Sequence, residues 1–386
     1  MENRPRIRRA QSCATDERQA VREFYAGVMQ SEMALVIFFC SSEFDLVVLA
    51  DEMRRLFAGV QVVGCTTAGE IGPAGYLEHS LTGASFPASL FHAVSGRIED
   101  LQEFQAATGQ AFTQALLQRL ETQTPPSGVE HRFAMLLTGG LAVREELVTR
   151  VLQSALDRLP LLGGSAGDGV NFGSTYVYSE GRFCTDSAIL ILLSTNLPIK
   201  LFMTQHFVAS DERLVVTEAD PALRIVKEIN GLPAAVAYAR LLGVAVCDLS
   251  PKLFAAWPVV VQINGTNYVR AIRKVNPDSS LTFFCAIENG LVFRVAKGVG
   301  LLANLEQALA RVRKEIGPPQ LILGCDCILR HLEIAQSADK DRVGELLLRN
   351  NTTGFSTYGE QFHGVHVNQT FVGVALGMAP AETADA

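Results

Sequence analysis

Apolar residues along this chain follow two alternating rhythms. Solid runs at residues 35–39, 133–137 and 321–323 have strand character, and each precedes a stretch with apolar positions at helical spacing. In the first stretch Leu46, Leu49, Met53 and Leu56 recur before Gly59. In the second Val143, Leu147, Val151 and Leu152 lead to Pro160, and in the third Val343, Leu346 and Leu347 lead to Asn350-Asn351. Another apolar strand follows each time, at 82–86, 188–193 and 370–376. Strand, helix, turn and strand is the pattern of βα units, so the chain predicts an α/β protein that reuses one unit three times.

Between helix and last strand each unit carries a similar phrase. Gly64-Cys65-Thr66-Thr67-Ala68-Gly69-Glu70, Gly163-Gly164-Ser165-Ala166-Gly167-Asp168 and Gly354-Phe355-Ser356-Thr357-Tyr358-Gly359-Glu360 each read glycine, hydroxyl, glycine, carboxylate, the middle copy one residue shorter. Glycines and small residues let a backbone turn sharply and approach a ligand closely. The phrases therefore predict bends at strand ends. Ligands of open α/β sheets gather beyond the carboxyl ends of strands. That places Cys40-Ser41-Ser42, Thr138-Gly139-Gly140, Cys325-Asp326 and the three phrases on one rim.

The remaining patterns give the connections. Residues 1–14 read as a mobile basic tail and 16–30 as an amphipathic helix with Val21, Phe24, Tyr25 and Val28 on one face. Residues 109–122 read as helix and Thr124-Pro125-Pro126-Ser127-Gly128 as a loop. Asp220-Pro221 predicts the start of a helix that ends at Asn230-Gly231, followed by a helix over 233–242 closed by Gly243. Between 258 and 297 the pattern turns to antiparallel hairpins, with Asn264-Gly265 and Asn289-Gly290 as turns. A helix over 301–316 is closed by Gly317. This organisation predicts a tail and helix at 1–32, domains at 33–218 and 219–378, and a disordered tail at 379–386.

With 386 residues, 48% of them hydrophobic, the chain can bury a sizeable core. A formal charge of −7 excludes the basic surface that nucleic acid demands. Apolar runs fall far short of the roughly 18 residues needed to cross a bilayer, and no apolar region follows the N-terminal arginines to make a secretory signal. Eight cysteines, several inside apolar runs, suit buried thiols in a reducing compartment, so the expectation is a cytoplasmic protein without a membrane span.

The order and spacing of these motifs resemble the FIST sensory domain. The N-terminal region is suggested by the phrases at 63–70 and 161–168. The C-terminal region is suggested by Cys327-Ile328-Leu329-Arg330, the phrase at 354–360 and His366-Val367-Asn368-Gln369-Thr370. The resemblance implies two FIST halves, the second with an antiparallel hairpin insertion, and small-ligand sensing coupled to a signalling partner. It further implies a likeness to stand-alone nitric-oxide-sensing haem proteins that regulate a histidine kinase, with haem b as cofactor. The alternative it leaves is a sensor for an amino acid or other small polar metabolite without haem.

The residues themselves leave alternatives open. Ser165 lies in a G-x-S-x-G match, the nucleophile elbow of serine hydrolases, but the elbow needs a helix directly after the serine, and Gly167-Asp168-Gly169 does not begin one. Cys325 and Cys327 share a strand face and read as buried thiols, with a redox or metal role beside His331 as the other option. No Cys-x-x-Cys-His occurs, which excludes covalent c-type haem. A non-covalent haem needs an axial ligand, for which His206, His363 and His366 are the candidates among seven histidines that also include His79, His92, His131 and His331. Glu70, Asp168 and Glu360 either close their turns by accepting N–H groups or meet a cationic part of a ligand. Tyr358 is placed to cover a ligand face, and Arg330 to pair with a ligand carboxylate or with Glu360. With Cys65, Thr66, Gly69, Ser165, Cys325, Ser356 and Asn368 these make the candidate ligand-binding set. The sequence leaves a homo-oligomer open.

Overall fold

The computed structural model describes residues 5–124, 131–263 and 265–378. The proline-rich loop at 125–128, Asn264 and the tail at 379–386 lie outside the described residues. The chain groups into two compact units, Met1–Met203 with Glu306–Val365 and Phe371–Ala386, and Thr204–Leu305 with His366–Thr370.

The first unit is mixed α/β and holds the three repeats. Repeat one runs β1 (Arg8–Ser12), α1 (Glu17–Val28), β2 (Met33–Ser41), α2 (Leu46–Leu56), β3 (Val62–Thr67), β4 (Glu70–Gly72), β5 (Gly75–Leu77) and β6 (Leu81–Pro87). Repeat two copies that order: β7 (Phe91–Ile98), α3 (Ala106–Gln123), β8 (His131–Thr138), α4 (Glu145–Leu156), β9 (Leu161–Ser165), β10 (Val177–Ser179), β11 (Arg182–Cys184) and β12 (Ala188–Thr195). Repeat three opens with β13 (Ile199–Thr204) and is interrupted by the second unit.

That unit is antiparallel. It comprises β14 (Phe207–Ala209), β15 (Leu214–Asp220), β16 (Ile225–Ile229), β17 (Leu232–Pro233), α5 (Ala234–Leu242), α6 (Pro251–Ala256), β18 (Val259–Ile263), β19 (Thr266–Arg270), β20 (Ile272–Val275), β21 (Leu281–Phe283) and β22 (Val292–Gly298). Its core gathers Val216, Val226, Tyr238, Phe254, Phe283 and Phe293. Repeat three then resumes with α7 (Leu301–Ile316), β23 (Leu321–Cys327), α8 (Ile328–Gln336), α9 (Lys340–Arg349), β24 (Thr352–Thr357), β25 (Glu360–Phe362), β26 (Val365–Val367) and β27 (Phe371–Leu376).

Local chemistry explains the helices. The Asp16 carboxylate accepts from Gln19 N at 2.8 Å and opens α1, which buries Ala20, Val21, Phe24 and Val28 on one face. Asp45 caps α2 through Val47 N and Val48 N, and Gly243 closes α5 at φ +69°.

In every repeat the strand between the first two helices pairs in parallel with the strand that carries the glycine phrase: β2 with β3, β8 with β9, β23 with β24. The first glycine of each phrase sits opposite a backbone carbonyl. A Cβ at Gly64, Gly163 or Gly354 would lie 2.5, 2.0 or 1.9 Å from the oxygen of Phe38, Leu136 or Gly324. This close approach is why the glycine occurs three times.

The repeats do not fold separately. After its bend each sends a strand into a neighbour's sheet: β4 pairs with β24, β25 with β9 and β10 with β3. One passes to three, three to two, and two to one, so the exchange closes a ring. Phe39 stacks on Phe355 at 4.5 Å between the sheets of repeats one and three, a contact worth about 1 kcal/mol beyond its buried area.

Several expectations change. Arg8–Ser12 of the anticipated mobile tail is a strand pairing with β6 from Arg8↔Ser85 to Ser12↔Leu81; edge pairing runs through the backbone and needs no apolar alternation. No helix begins at Asp220-Pro221. Asp220 Oδ1 accepts from Leu223 N at 3.1 Å in a turn joining β15 to β16, because an acid followed by proline suits a turn as well as a helix start. Asn230-Gly231, with φ of 51° and 72°, is the hairpin turn between β16 and β17. Asn289-Gly290 does not join paired strands: β21 pairs with β16 and β20, while β22 pairs with β14, β15 and β18.

Candidate functional site

The three bends meet edge to edge through backbone hydrogen bonds. Ala68 N donates to Ser356 O at 2.9 Å and Ser356 N to Gly69 O at 2.7 Å. Tyr358 N donates to Ser165 O at 3.1 Å and Ser165 N to Gly359 O at 2.8 Å. Gly167 N donates to Thr66 O at 3.0 Å and Thr66 N to Tyr176 O at 2.9 Å. The same pair of bonds recurs at all three junctions and makes Thr66, Ser165 and Ser356 equivalent. It also makes Gly167 the counterpart of Ala68 and Tyr358. The second glycine of the middle phrase is therefore not equivalent to Gly69 and Gly359; Tyr176 occupies that place after an inserted loop.

The carboxylates divide accordingly. Glu70 and Glu360 are fully buried and each accepts a hydrogen bond from the hydroxyl of its own turn, Thr67 and Thr357. Glu70 also accepts from Ser80 N at 3.0 Å and Ser80 Oγ at 2.9 Å. Asp168 instead organises the inserted loop, accepting from Phe172 N, Gly173 N and Ser174 N at 2.9, 2.7 and 2.8 Å, and it receives the Tyr358 hydroxyl. Phe172 stacks on Tyr358 at 4.5 Å, and Ala68, Ile328 and Leu329 pack around the pair as a cap on the ring.

Burial pushes Glu70 up to about 8 against the opposing pull of its Thr67 and Ser80 hydrogen bonds. An unfolded glutamate titrates near 4.3. Between those values the folded chain holds the extra proton, so this residue's contribution falls as pH rises, at up to about 1.4 kcal/mol per pH unit. It is fully present below about pH 4 and lost through about pH 8. Urea melts of the wild type and Glu70→Gln across pH 5–8 are expected to converge towards low pH and separate towards pH 8, the wild type losing more. Parallel curves would show that Glu70 ionises at its ordinary value.

Repeat three also departs from the other two between β23 and α9. Residues 42–45 and 139–144 join strand to helix in repeats one and two, whereas residues 328–339 hold an added helix, α8. Arg330 on α8 is completely buried, and its Nε lies 2.7 Å from Asp326 Oδ1 at the end of β23. The Tyr76 hydroxyl reaches Asp326 Oδ2 at 3.4 Å. Burial raises Asp326, with Arg330 pulling the other way, and raises Tyr76. His331, 8% exposed, lies with its ring 4.3 Å from that of Tyr76 and its Nε2 3.5 Å from Glu78. Burial lowers His331 despite Asp326 and Glu78, which leaves a neutral imidazole at pH 7. Its Nδ1 has no hydrogen-bond partner among the described residues.

Above this cluster opens a cleft of about 580 Å³. Tyr76, Glu78 and His331 face Lys340, Asp341 and Glu345 across it.

Cys65, Thr66, Gly69, Glu70, Ser165, Asp168, Cys325, Arg330, Ser356, Tyr358 and Glu360 all belong to the first unit, on or beside the ring. Cys65 and Cys325 are buried, and burial raises both thiols. Ser165 Oγ accepts from Gln361 Nε2 at 2.9 Å, and no helix follows it. His363 stands at the β25–β26 turn with φ 47°. His206, His366 and Asn368 belong to the second unit and are buried there; Arg270 Nη1 donates to the His366 carbonyl at 3.1 Å. Among the described residues no group of three or more His, Cys, Asp or Glu side chains could hold a metal ion. Tyr76, Glu78 and Phe172 escaped the sequence reading. The signal for α8 was the extra length between the third apolar run and its helix.

Repeated bends locked into a ring beneath a polar cleft fit a binding module. The chain belongs to the FIST family: the FIST N domain matches residues 34–232 and the FIST C domain residues 234–363. FIST domains are small-ligand sensing domains of signal transduction, a non-enzymatic family. Comparison with curated proteins gives no match. Among solved structures, a cyanuric acid hydrolase from A. caulinodans is 8% identical over 97% of this chain and all of that one, with a TM-score of 0.36, a distant structural match only. No helix among the described residues is long and apolar enough to cross a membrane.

Proposed function

We propose that this chain senses a small polar ligand carrying an amine, such as an amino acid, in the cleft between the β4–β5 hairpin and helices α8 and α9. The observation that carries the reading is His331: more than nine-tenths buried, in the cleft wall, with an unsatisfied ring nitrogen, and next in sequence to Arg330 of the buried Asp326–Arg330 pair. Glu78 and Asp341 outnumber Lys340 around the cleft and favour a cation, Glu345 being paired with Arg349 at 3.1 Å, and the Tyr76 ring offers it a face. Occupancy would bias the position of α8, and a signalling partner such as a histidine kinase would read the difference, as linkage requires.

Haem, and nitric oxide sensing through it, has less support. His363 is committed to a hairpin turn, and neither it nor His206 nor His366 lines this cleft.

Calorimetry with a panel of amino acids and small amines tests the reading. At least one compound is expected to bind with 1:1 stoichiometry, at least tenfold more weakly to His331→Ala and Glu78→Gln. Absence of binding across the panel would remove the amine reading. Stoichiometric haem uptake with a Soret band, lost on replacing His206, His363 or His366, would restore the haem alternative.

A further inference from the structure

A second cleft of the first unit, of about 710 Å³, lies at the opposite chain end of the repeats, where β1 approaches the loop before β23. Arg6, Arg8 and Arg9 line it together with Gln320 and Asn351, and among the described residues none that lines it is acidic. The chain has 40 acidic residues against 33 basic ones, so three guanidinium groups without a carboxylate are out of keeping with the rest of the molecule.

Neutral acceptors hold Arg8 and Arg9 in place. Arg9 Nη2 donates to Asn351 Oδ1 at 2.6 Å and Nη1 to the Thr352 carbonyl at 3.3 Å. Asn351 is fixed in turn by its Nδ2, 3.0 Å from the Pro319 carbonyl. Arg8 Nη1 donates to the Met29 carbonyl at 2.6 Å. Gln320 is anchored at both ends, accepting from Ile7 N at 3.2 Å and donating to the Gly377 carbonyl at 2.7 Å. Among the described residues no carboxylate pairs with Arg6, Arg8 or Arg9, so Arg8 and Arg9 are held in place while the charge of all three is uncompensated by those residues. Burial disfavours the charged form of Arg9, a cost that an anion in the cleft would offset.

We propose that this cleft binds a compact multivalent oxyanion. Guanidinium forks match the paired oxygens of phosphate and carboxylate groups, and the volume suits a small molecule of that kind rather than a polymer. The proposal is independent of the amine cleft, which is lined by different elements.

Calorimetry on the full chain with inorganic pyrophosphate and, separately, citrate tests it. Saturable 1:1 binding to at least one is expected, weakening with added salt. In Arg6→Gln/Arg8→Gln, which leaves the Arg9 to Asn351 tie untouched, affinity is expected to fall at least tenfold. Preference for pyrophosphate assigns a phosphate-bearing ligand and preference for citrate a polycarboxylate. Failure of both to bind, or equal affinity in the double variant at an unchanged melting temperature, would overturn it. Should the double variant lose stability, Arg6→Gln alone, whose side chain ties down no other segment among the described residues, must still weaken binding or the proposal falls.

Discussion

Replacing Arg330 with alanine is expected to cost about 3–5 kcal/mol of stability, the range for removing one partner of a buried pair. Arg330 is completely buried and Asp326 1% exposed, so alanine would leave a carboxylate in the interior with its cation gone. Asp326 would then take up a proton to remain buried. The loss is therefore expected to be largest at neutral pH and smaller towards pH 4. Urea denaturation at both values measures it, and Asp326→Asn/Arg330→Ala should be closer to the wild type than Arg330→Ala alone. A loss below about 1 kcal/mol would place the pair among weak surface-type bridges.

Gly354→Ala is expected to be as damaging for a different reason. Its Cβ would stand 1.9 Å from the Gly324 carbonyl oxygen, and backbone on both sides leaves no flexible side chain to give way. Overpacking of this kind costs about 3 kcal/mol or more when the neighbour cannot move. Displacing β24 would also disturb the ring, because Ser356 and Tyr358 make its bonds two and four residues later. Thermal unfolding should fall well below that of Gly344→Ala, an equivalent change on α9 where nothing lies within 4 Å of the new methyl. There alanine is expected to be neutral or stabilising, given its helix preference of about 1 kcal/mol over glycine. Equal melting temperatures for the two variants would show that the parallel strands are not held at that spacing.

The repeat itself was legible because its signals are local. Apolar runs buried on both faces, helical spacing, capping acids such as Asp16, and glycine phrases act within a few residues of where they stand. The ring was not legible, since β4, β10 and β25 pair with strands far away in sequence and nothing local names the partner. The third repeat was also disguised. Its opening strand, β13, is separated from α7 by the second unit, so the unit seemed to begin at the run before the phrase.

Asp220-Pro221 misled because the same dipeptide opens helices and turns, and the alternation of Ile225–Ile229 is short. The ring's residues were legible but the cleft was not, since none of the expected ligand-binding residues lines it. The phrases pointed to Glu70, Ser165, Asp168, Ser356 and Tyr358, and Arg330 stood out as a charge beside buried cysteines. Its ion pair with Asp326, four residues earlier at the end of β23, becomes visible only once α8 is known. Tyr76 and Glu78 carry no motif and reach the cleft through the exchanged hairpin.

Hydrogen exchange on the full chain, with and without the tightest-binding amine, tests the ligand site most directly. Added protection is expected in residues 73–78 and 328–348, with little change in the β10–β11 hairpin and α2 of the corresponding interface. Protection confined to other segments, or none at a saturating concentration of a compound that calorimetry shows to bind, would contradict the assignment of the sensing site to the cleft that α8 builds.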